Sequence, residues 1–235
     1  MKIDTTYRSS APEIMDDFSL KGKELEDALD KIAKINRLLG GNNVTLRGVE
    51  KLLKHKSGKI TIVDAGCGNG DMLRFLADYG KKQNLNMRLI GIDANAFTVS
   101  QAEKLSQNYP QTEYRCADVF DELEKITDCD IILCTLTMHH FKDEQIISLM
   151  DMFYRNAKLG IVVNDLQRSA VAYRLFQLVC FVFRLNTMSR KDGLVSILRG
   201  FKKRELIDYS TKLNFKKYMI RWKWAFRYQW IVSKI

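Results

Sequence analysis

The chain is poor in punctuation. Its 235 residues include only two prolines, and no stretch is rich in serine, glycine or proline. That argues against disordered linkers between separate domains. Long hydrophobic runs are missing too. No segment reaches the roughly 18 charge-free apolar residues that a membrane-spanning helix needs. The nearest, residues 171–185, is interrupted by Arg174 and Arg184. The opening MKIDTTYRSS has no apolar signal-peptide core, so a cytoplasmic location is expected. The five cysteines (67, 116, 129, 134 and 180) are an odd number without a CxxC pair, and the only histidines are 55, 139 and 140. This argues against a disulfide scaffold and a structural zinc site. Buried free thiols in a reducing compartment are expected instead.

What is present is ordinary for a globular chain: 46% apolar residues and 28% charged ones. The length suits one α/β domain with an appended piece. The net charge of +10 is unevenly placed. Residues 170–235 hold 15 Lys/Arg against 3 Asp/Glu, while the preceding 169 residues hold 23 against 25. A basic third is either a solvated face or a surface for an acidic substrate, an anionic membrane or nucleic acid.

The first 15 or so residues read as a loose arm. Apolar positions 25, 28, 29, 32, 35, 38 and 39 then make a helical stripe, closed by Gly40-Gly41. A second helix runs through Leu46, Val49 and Leu53 to about Gly58, so residues 1–57 are expected to form an N-terminal helical cap. From residue 58 to 235, strands and helices alternate. Strands are expected at 59–64, 87–93, 112–117, 129–135 and 159–164, with helices at 70–81, 96–107, 119–126 and 143–156. This is the signature of a parallel sheet covered on both faces. Two further strands, near 215–224 and 226–234, read as a hairpin with Trp222, Trp224, Phe226, Tyr228 and Trp230 on one face and Arg221, Lys223 and Arg227 on the other. Residues 167–213 between strand five and this hairpin are too long for a plain connection, and read as a lid led by an aromatic helix at 170–185.

The most informative stretch is Asp64-Ala65-Gly66-Cys67-Gly68-Asn69-Gly70, directly after an apolar β-branched run. Strand, glycine turn and helix form the layout in which backbone approaches a nucleotide-like ligand. Asp93 closes the next strand, 23 residues after Gly70, and Asp118 follows the third. Acidic-x-Gly-x-Gly-x-Gly followed by these two acids resembles the class I S-adenosylmethionine-dependent methyltransferases. The resemblance implies a three-layer Rossmann-like α/β fold with a seven-stranded sheet, mostly parallel, whose last strand is antiparallel. It implies S-adenosylmethionine as cofactor and S-adenosylhomocysteine as product. By the same resemblance, Asp64, Gly66, Cys67, Gly68 and Gly70 cradle the methionine end and Asp93 takes the ribose hydroxyls. Asp118, Val119 and Ala94 then surround the adenine. A nicotinamide-binding Rossmann domain would instead need GxGxxG, and here the third glycine comes one residue early.

Strand four ends in Leu136-Thr137-Met138-His139-His140-Phe141. The Asn/Asp-Pro-Pro-Tyr/Phe run of nucleic-acid and amide methyltransferases of this fold is absent here. The Leu-x-x-His-His-Phe pattern resembles the ubiquinone/menaquinone-biosynthesis type of small-molecule methyltransferase. It implies a small aromatic, quinone-like, polyketide or lipid-like acceptor, methylated at oxygen or carbon. His139 or His140, with His140 preferred, is the candidate base for a phenol, enol or hydroxyl; either could instead serve only to position the backbone. After strand five, Asp165 and Arg168 stand where acceptors bind. Strand four supplies no carboxylate for a catechol-type metal site, so no metal is expected. A narrower resemblance to bacterial small-molecule methyltransferases rests on residues 35–42, on Asn164-Asp165-Leu166-x-Arg168-Ser169 and on Arg190-x-Asp192-Gly193-x-x-Ser196. It adds Asn36, Arg37 and Arg190 to the acceptor side. The alternatives are an RNA methyltransferase using the basic third, which the missing motif argues against, and a non-catalytic module that keeps the cofactor fold. The aromatic lid beside a basic surface also suggests peripheral membrane contact.

Overall fold

The computed structural model describes residues 3–54, 56–126 and 128–235. His55, one of the three histidines counted above, lies outside them. Two helices, α1 (Lys23–Leu38) and α2 (Gly41–Leu53), precede the sheet. Gly40, in the left-handed conformation, turns the chain between them. Then β1 (Ile60–Ala65), α3 (Asp71–Lys82), β2 (Met87–Asp93), α4 (Ala96–Leu105), β3 (Thr112–Cys116), α5 (Val119–Leu123), β4 (Cys129–Thr135), α6 (Asp143–Asn156) and β5 (Ala157–Leu166) alternate. All these strands pair in parallel, because each connection is a helix long enough to carry the chain back across the sheet. The segment after β5 is helical throughout: α7 (Ala170–Val182), α8 (Thr187–Arg199) and α9 (Lys203–Lys212). The hairpin β6 (Tyr218–Lys223) and β7 (Arg227–Ser233) closes the fold. β7 inserts antiparallel beside β5, giving the order β3-β2-β1-β4-β5-β7-β6.

β1 is buried along its whole length, as both faces of the sheet carry helices. One core, around Ile132, Phe153, Ile161 and Trp230, lies under α5, α6 and α9. The other, around Val49, Ile62, Leu73 and Val162, lies under α2 and α3.

Three expectations are corrected. The arm is not loose: Ser9 N–H donates to the Leu198 carbonyl at 3.0 Å, and Ile14 and Met15 N–H donate to the Asp192 carboxylate at 2.7 and 2.9 Å. The hairpin does not bury one aromatic face. Ala225 and Phe226 both take positive φ, which breaks the period-two pattern: Trp222 and Trp224 are left exposed and Arg227 is turned inward. The polar run 187–193 starts α8, capped by Asn186, whose side chain accepts from Ser189 N–H at 2.8 Å. Among the cysteines, all free, Cys116 is exposed rather than buried.

α2 rests on β5 through Gly48, where a Cβ would stand 2.5 Å from Val162 Cγ1. Val162 is stiff and sits on a central strand, so it cannot yield cheaply. Gly48→Ala should therefore cost about 1–3 kcal/mol by overpacking, despite alanine's better helix propensity. Val162→Ala in the same chain should recover part of that loss; thermal unfolding of the two single variants and the double variant measures the coupling.

Candidate functional site

The carboxyl ends of β1, β2, β4 and β5 open onto one cavity of about 740 Å³. Its first wall is the glycine turn. Gly66 sits at φ 76°, and a Cβ there would meet the Thr137 side chain at 2.2 Å, so only glycine lets the turn lie against the end of β4. Gly66 and Cys67 N–H donate to the Ile92 carbonyl at 2.9 and 3.0 Å, tying the turn to β2. Gly68 N–H donates to Asp93 Oδ2 at 3.0 Å, and Asn95 N–H donates to Asp93 Oδ1 at 3.0 Å. Burial still raises the Asp93 carboxyl above its ordinary value, with these two bonds opposing. Asp64 is buried at the end of β1, and its Oδ1 has no hydrogen-bond partner. Burial, with the Asp93 charge added, pushes it up to about 7. An unpartnered carboxylate oxygen at such a wall fits the ammonium of an amino-acid ligand. Burial also pushes the Cys67 thiol far up, so it packs rather than reacts.

Ala94, Asp118 and Val119 line the neighbouring part of the cavity. Asp118 caps α5, accepting from Phe120 N–H at 2.8 Å. Gly70 caps α3 and lies outside the lining, under Tyr114.

The other end is built by four segments distant in sequence. The 3-10 turn Ile14–Asp16 brings Glu13 and Asp16, the end of β4 brings His139 and His140, β5 brings Asp165, and α8 brings Arg199. His139 Nδ1 lies 2.7 Å from Asp165 Oδ1, and His140 Nδ1 lies 2.7 Å from Asp16 Oδ1. Burial alone would raise Asp165, but the charge and hydrogen bond of His139 outweigh it and hold this carboxyl below its ordinary value. Asp16 is likewise held well down, because bonds from His140 and Arg199 overcome its burial. Ionised carboxylates only accept, so each imidazole donates from Nδ1 and turns Nε2 away from its carboxylate. His139 is buried behind, while His140 keeps 29% of its side chain exposed, and their rings stack 4.4 Å apart. Burial pushes Glu13 up to about 7, against the pull of His140, Ser196 and Arg199. Arg199 donates to Asp16 Oδ2 at 2.7 Å and to the carbonyls of His139 and His140 at 3.2 and 2.6 Å.

Among the described residues, Glu13, His139 and His140 form the group whose ligand atoms, within 4.8 Å of one another, are close enough for a metal ion. The Arg199 guanidinium, 3.6 Å from Glu13 Oε1, already supplies positive charge there.

The remaining sequence candidates separate. Asn36 and Asp192 line the cavity. Arg37 does not; it is paired with Asp71 at the start of α3. Arg168 is withdrawn from the cavity, donating to the Thr5 carbonyl at 3.0 Å, to Gly200 at 2.6 Å and to Glu205. Arg190 is exposed on α8 and also lies outside the lining. Sequence reasoning missed Glu13, Asp16, Arg199 and Arg227. The acids carried one signal, in that Glu13 and Asp16 flank the apolar pair Ile14-Met15 in an otherwise polar arm.

A family profile described as a methyltransferase domain matches residues 62–160. A curated relative, the carboxy-S-adenosyl-L-methionine synthase of Campylobacter jejuni, is 22% identical over 176 residues, covering 70% of this chain and 73% of that one. Among solved structures, a plantazolicin methyltransferase in complex with S-adenosylhomocysteine superposes with a TM-score of 0.66 at 15% identity, covering 90% of this chain and 96% of that chain. The magnesium protoporphyrin IX methyltransferase of Synechocystis PCC 6803, with bound S-adenosylmethionine, gives 0.55 at 14% identity, covering 86% and 84%. Joined to the sheet order and to the glycine turn and acids along its carboxyl edge, the match over residues 62–160 identifies a methyltransferase domain on the fold of these neighbours.

Proposed function

We propose that the chain methylates a hydroxyl, phenol or enol of a small, largely apolar acceptor, with His140 as the base. The observation that carries this is the Asp16–His140 pair at the rim of the cavity that also holds the glycine turn. The cofactor supplies a methyl group on a sulfonium, so the leaving group is already good and the chain's task is placement. Asp64 would hold the methionine ammonium, Asp93 the ribose hydroxyls, and Asp118 with Ala94 and Val119 the adenine. Ala172, Leu175, Phe176 and Val179 of α7 line the far end, where they exclude water and fit an apolar body.

His140 Nε2 lies 3.9 Å from Glu13 Oε2, beyond hydrogen-bond distance, and takes the acceptor's proton as the acceptor atom bonds the methyl carbon. The carbon–sulfur bond breaks in the same step and S-adenosylhomocysteine is left. Asp16 fixes the His140 tautomer and steadies the imidazolium. Carbon methylation of an enol uses the same proton transfer.

Transfer of labelled methyl to a panel of phenols, enols and hydroxylated lipids tests the activity. His140→Gln should lower kcat about 10²–10⁴-fold while leaving S-adenosylhomocysteine affinity unchanged. An unchanged kcat would leave placement as the whole mechanism.

Asp64 gives a pH prediction. Its folded value, about 7, lies above the ordinary 3.8, so neutral Asp64 favours the empty protein at low pH. That contribution is lost as pH rises through 7. Holding an ammonium needs the carboxylate, so binding releases a proton. S-adenosylhomocysteine affinity should rise about tenfold between pH 5.5 and 7.5. Calorimetry in buffers of different ionisation enthalpy reads the proton, and Asp64→Asn should flatten the profile.

We also propose that α7 touches an anionic membrane and admits a lipid-like acceptor there. No helix among the described residues is long and apolar enough to cross a membrane. Yet Val171, Leu178, Phe181 and Val182 stand exposed on α7, beside the cationic side chains of Arg184 and Arg190. Sedimentation with phosphatidylglycerol vesicles should retain the protein, and Phe181→Asp with Leu178→Asp should release it. Equal retention of the double variant would remove this part of the reading.

A further inference from the structure

Arg227 opens β7, with Leu166 and Lys223 as its register neighbours. The positive φ of Ala225 and Phe226 swings its side chain away from solvent and into the cavity wall. It is 4% exposed, and neither Nε nor Nη1 has a hydrogen-bond partner. The natural partner would be Asp165, the buried carboxylate whose charge acts on it. Asp165 is already committed: Oδ1 takes His139 Nδ1 at 2.7 Å and Leu166 N–H at 2.7 Å, and Oδ2 takes His139 N–H at 3.2 Å. Asn36 cannot serve either, although its Oδ1 also lacks a donor and lies near the guanidinium over Gly41. A single amide oxygen cannot reach both free donors, because Nε–H and Nη1–H point to different edges of the guanidinium.

A guanidinium taken out of water with free donors is costly unless a ligand completes it. Each free donor forms a fork with Nη2, and such a fork matches a planar two-oxygen anion through paired hydrogen bonds.

We propose that Arg227 is the anion subsite of the acceptor pocket and that the acceptor carries a carboxylate. The inference rests on the reading of this cavity as an acceptor site. Position separates this carboxylate from the cofactor's own. The glycine turn leaves β1, whereas Arg227 starts β7, three strands along in the order β1-β4-β5-β7. At about 4.8 Å per strand that is roughly 14 Å, on the side of the histidines. The apolar body of the ligand then lies toward Trp224, Leu175, Phe176 and Val179, which line the same cavity.

Two fluorescent probes with one aromatic body test it: pyrenebutyrate, a carboxylate, and pyrenebutanol, its alcohol. Each is titrated into the full chain saturated with S-adenosylhomocysteine. The wild type should bind pyrenebutyrate at least about tenfold more tightly than pyrenebutanol, as expected for charge-assisted hydrogen bonds. Arg227→Met should abolish that preference, leave pyrenebutanol and S-adenosylhomocysteine affinities unchanged, and raise the melting temperature by removing an unpaired buried charge. Arg227→Lys should keep part of the preference, which also serves if the methionine variant folds poorly. Equal binding of the two probes by the wild type, or a preference that survives Arg227→Met, overturns the proposal while the acceptor site stands. Loss of S-adenosylhomocysteine affinity in Arg227→Met overturns it by giving the arginine to the cofactor's carboxylate. If neither probe binds, the acceptor reading fails and the proposal with it.

Discussion

The acceptor side depends on holding two carboxylates ionised, Asp165 buried and Asp16 partly exposed. Asp165 is buried at the end of β5, where its charge would be prohibitive without donors. The His139 imidazole, the His139 amide and the Leu166 amide supply them. Asp16 is met in the same way by His140 and Arg199. Each carboxylate forces one tautomer on one histidine. The result is two stacked imidazoles presenting Nε2, one buried behind and one at the cavity rim, fixed before any ligand arrives.

This arrangement explains why the N-terminal arm packs as firmly as it does. Arg8 donates to the carbonyls of His139 and Phe141, each at 2.9 Å, and its guanidinium lies 4.7 Å from the Phe201 ring centroid. Ser196 donates to Glu13 Oε2 at 2.8 Å, and Asp192 caps the turn Ile14–Asp16 from α8. The helices after β5 and the arm before α1 therefore meet over the end of β4. Both therefore contribute to the wall that carries His140.

The fold was legible because its signals are local. Apolar β-branched runs set the strands, and the glycine turn with Asp64, Asp93 and Asp118 sits at fixed places after successive strands. The histidine pair was legible for the same reason. Arg227 was not: alternation from Ile220 to Trp230 predicts an outward arginine, and only the two positive-φ residues before it reverse that. Glu13 and Asp16 reach the site across more than a hundred residues of sequence, a juxtaposition that no local pattern encodes. Arg37 and Arg168 failed in the opposite sense. Both sit in motifs near the site, yet they are held in ion pairs, Arg37 with Asp71 and Arg168 with Glu205.

The unsatisfied atoms are distributed in a way that structural packing does not require. Ordinary buried polar groups find partners. Here Asp64 Oδ1, Arg227 Nε and Nη1, Asn36 Oδ1, Glu13 Oε1 and His139 Nε2 do not, and all five residues line one cavity. The carboxylate lies at the glycine-turn end and the guanidinium at the β7 end. The cavity therefore carries a carboxyl that burial keeps from ionising easily at one end and an unpartnered guanidinium at the other. A cationic amino group against Asp64 and an anionic acceptor against Arg227 relieve both ends together. On that account the free energy withheld from folding is released on binding, and the two ligands are aligned along the line between the charges.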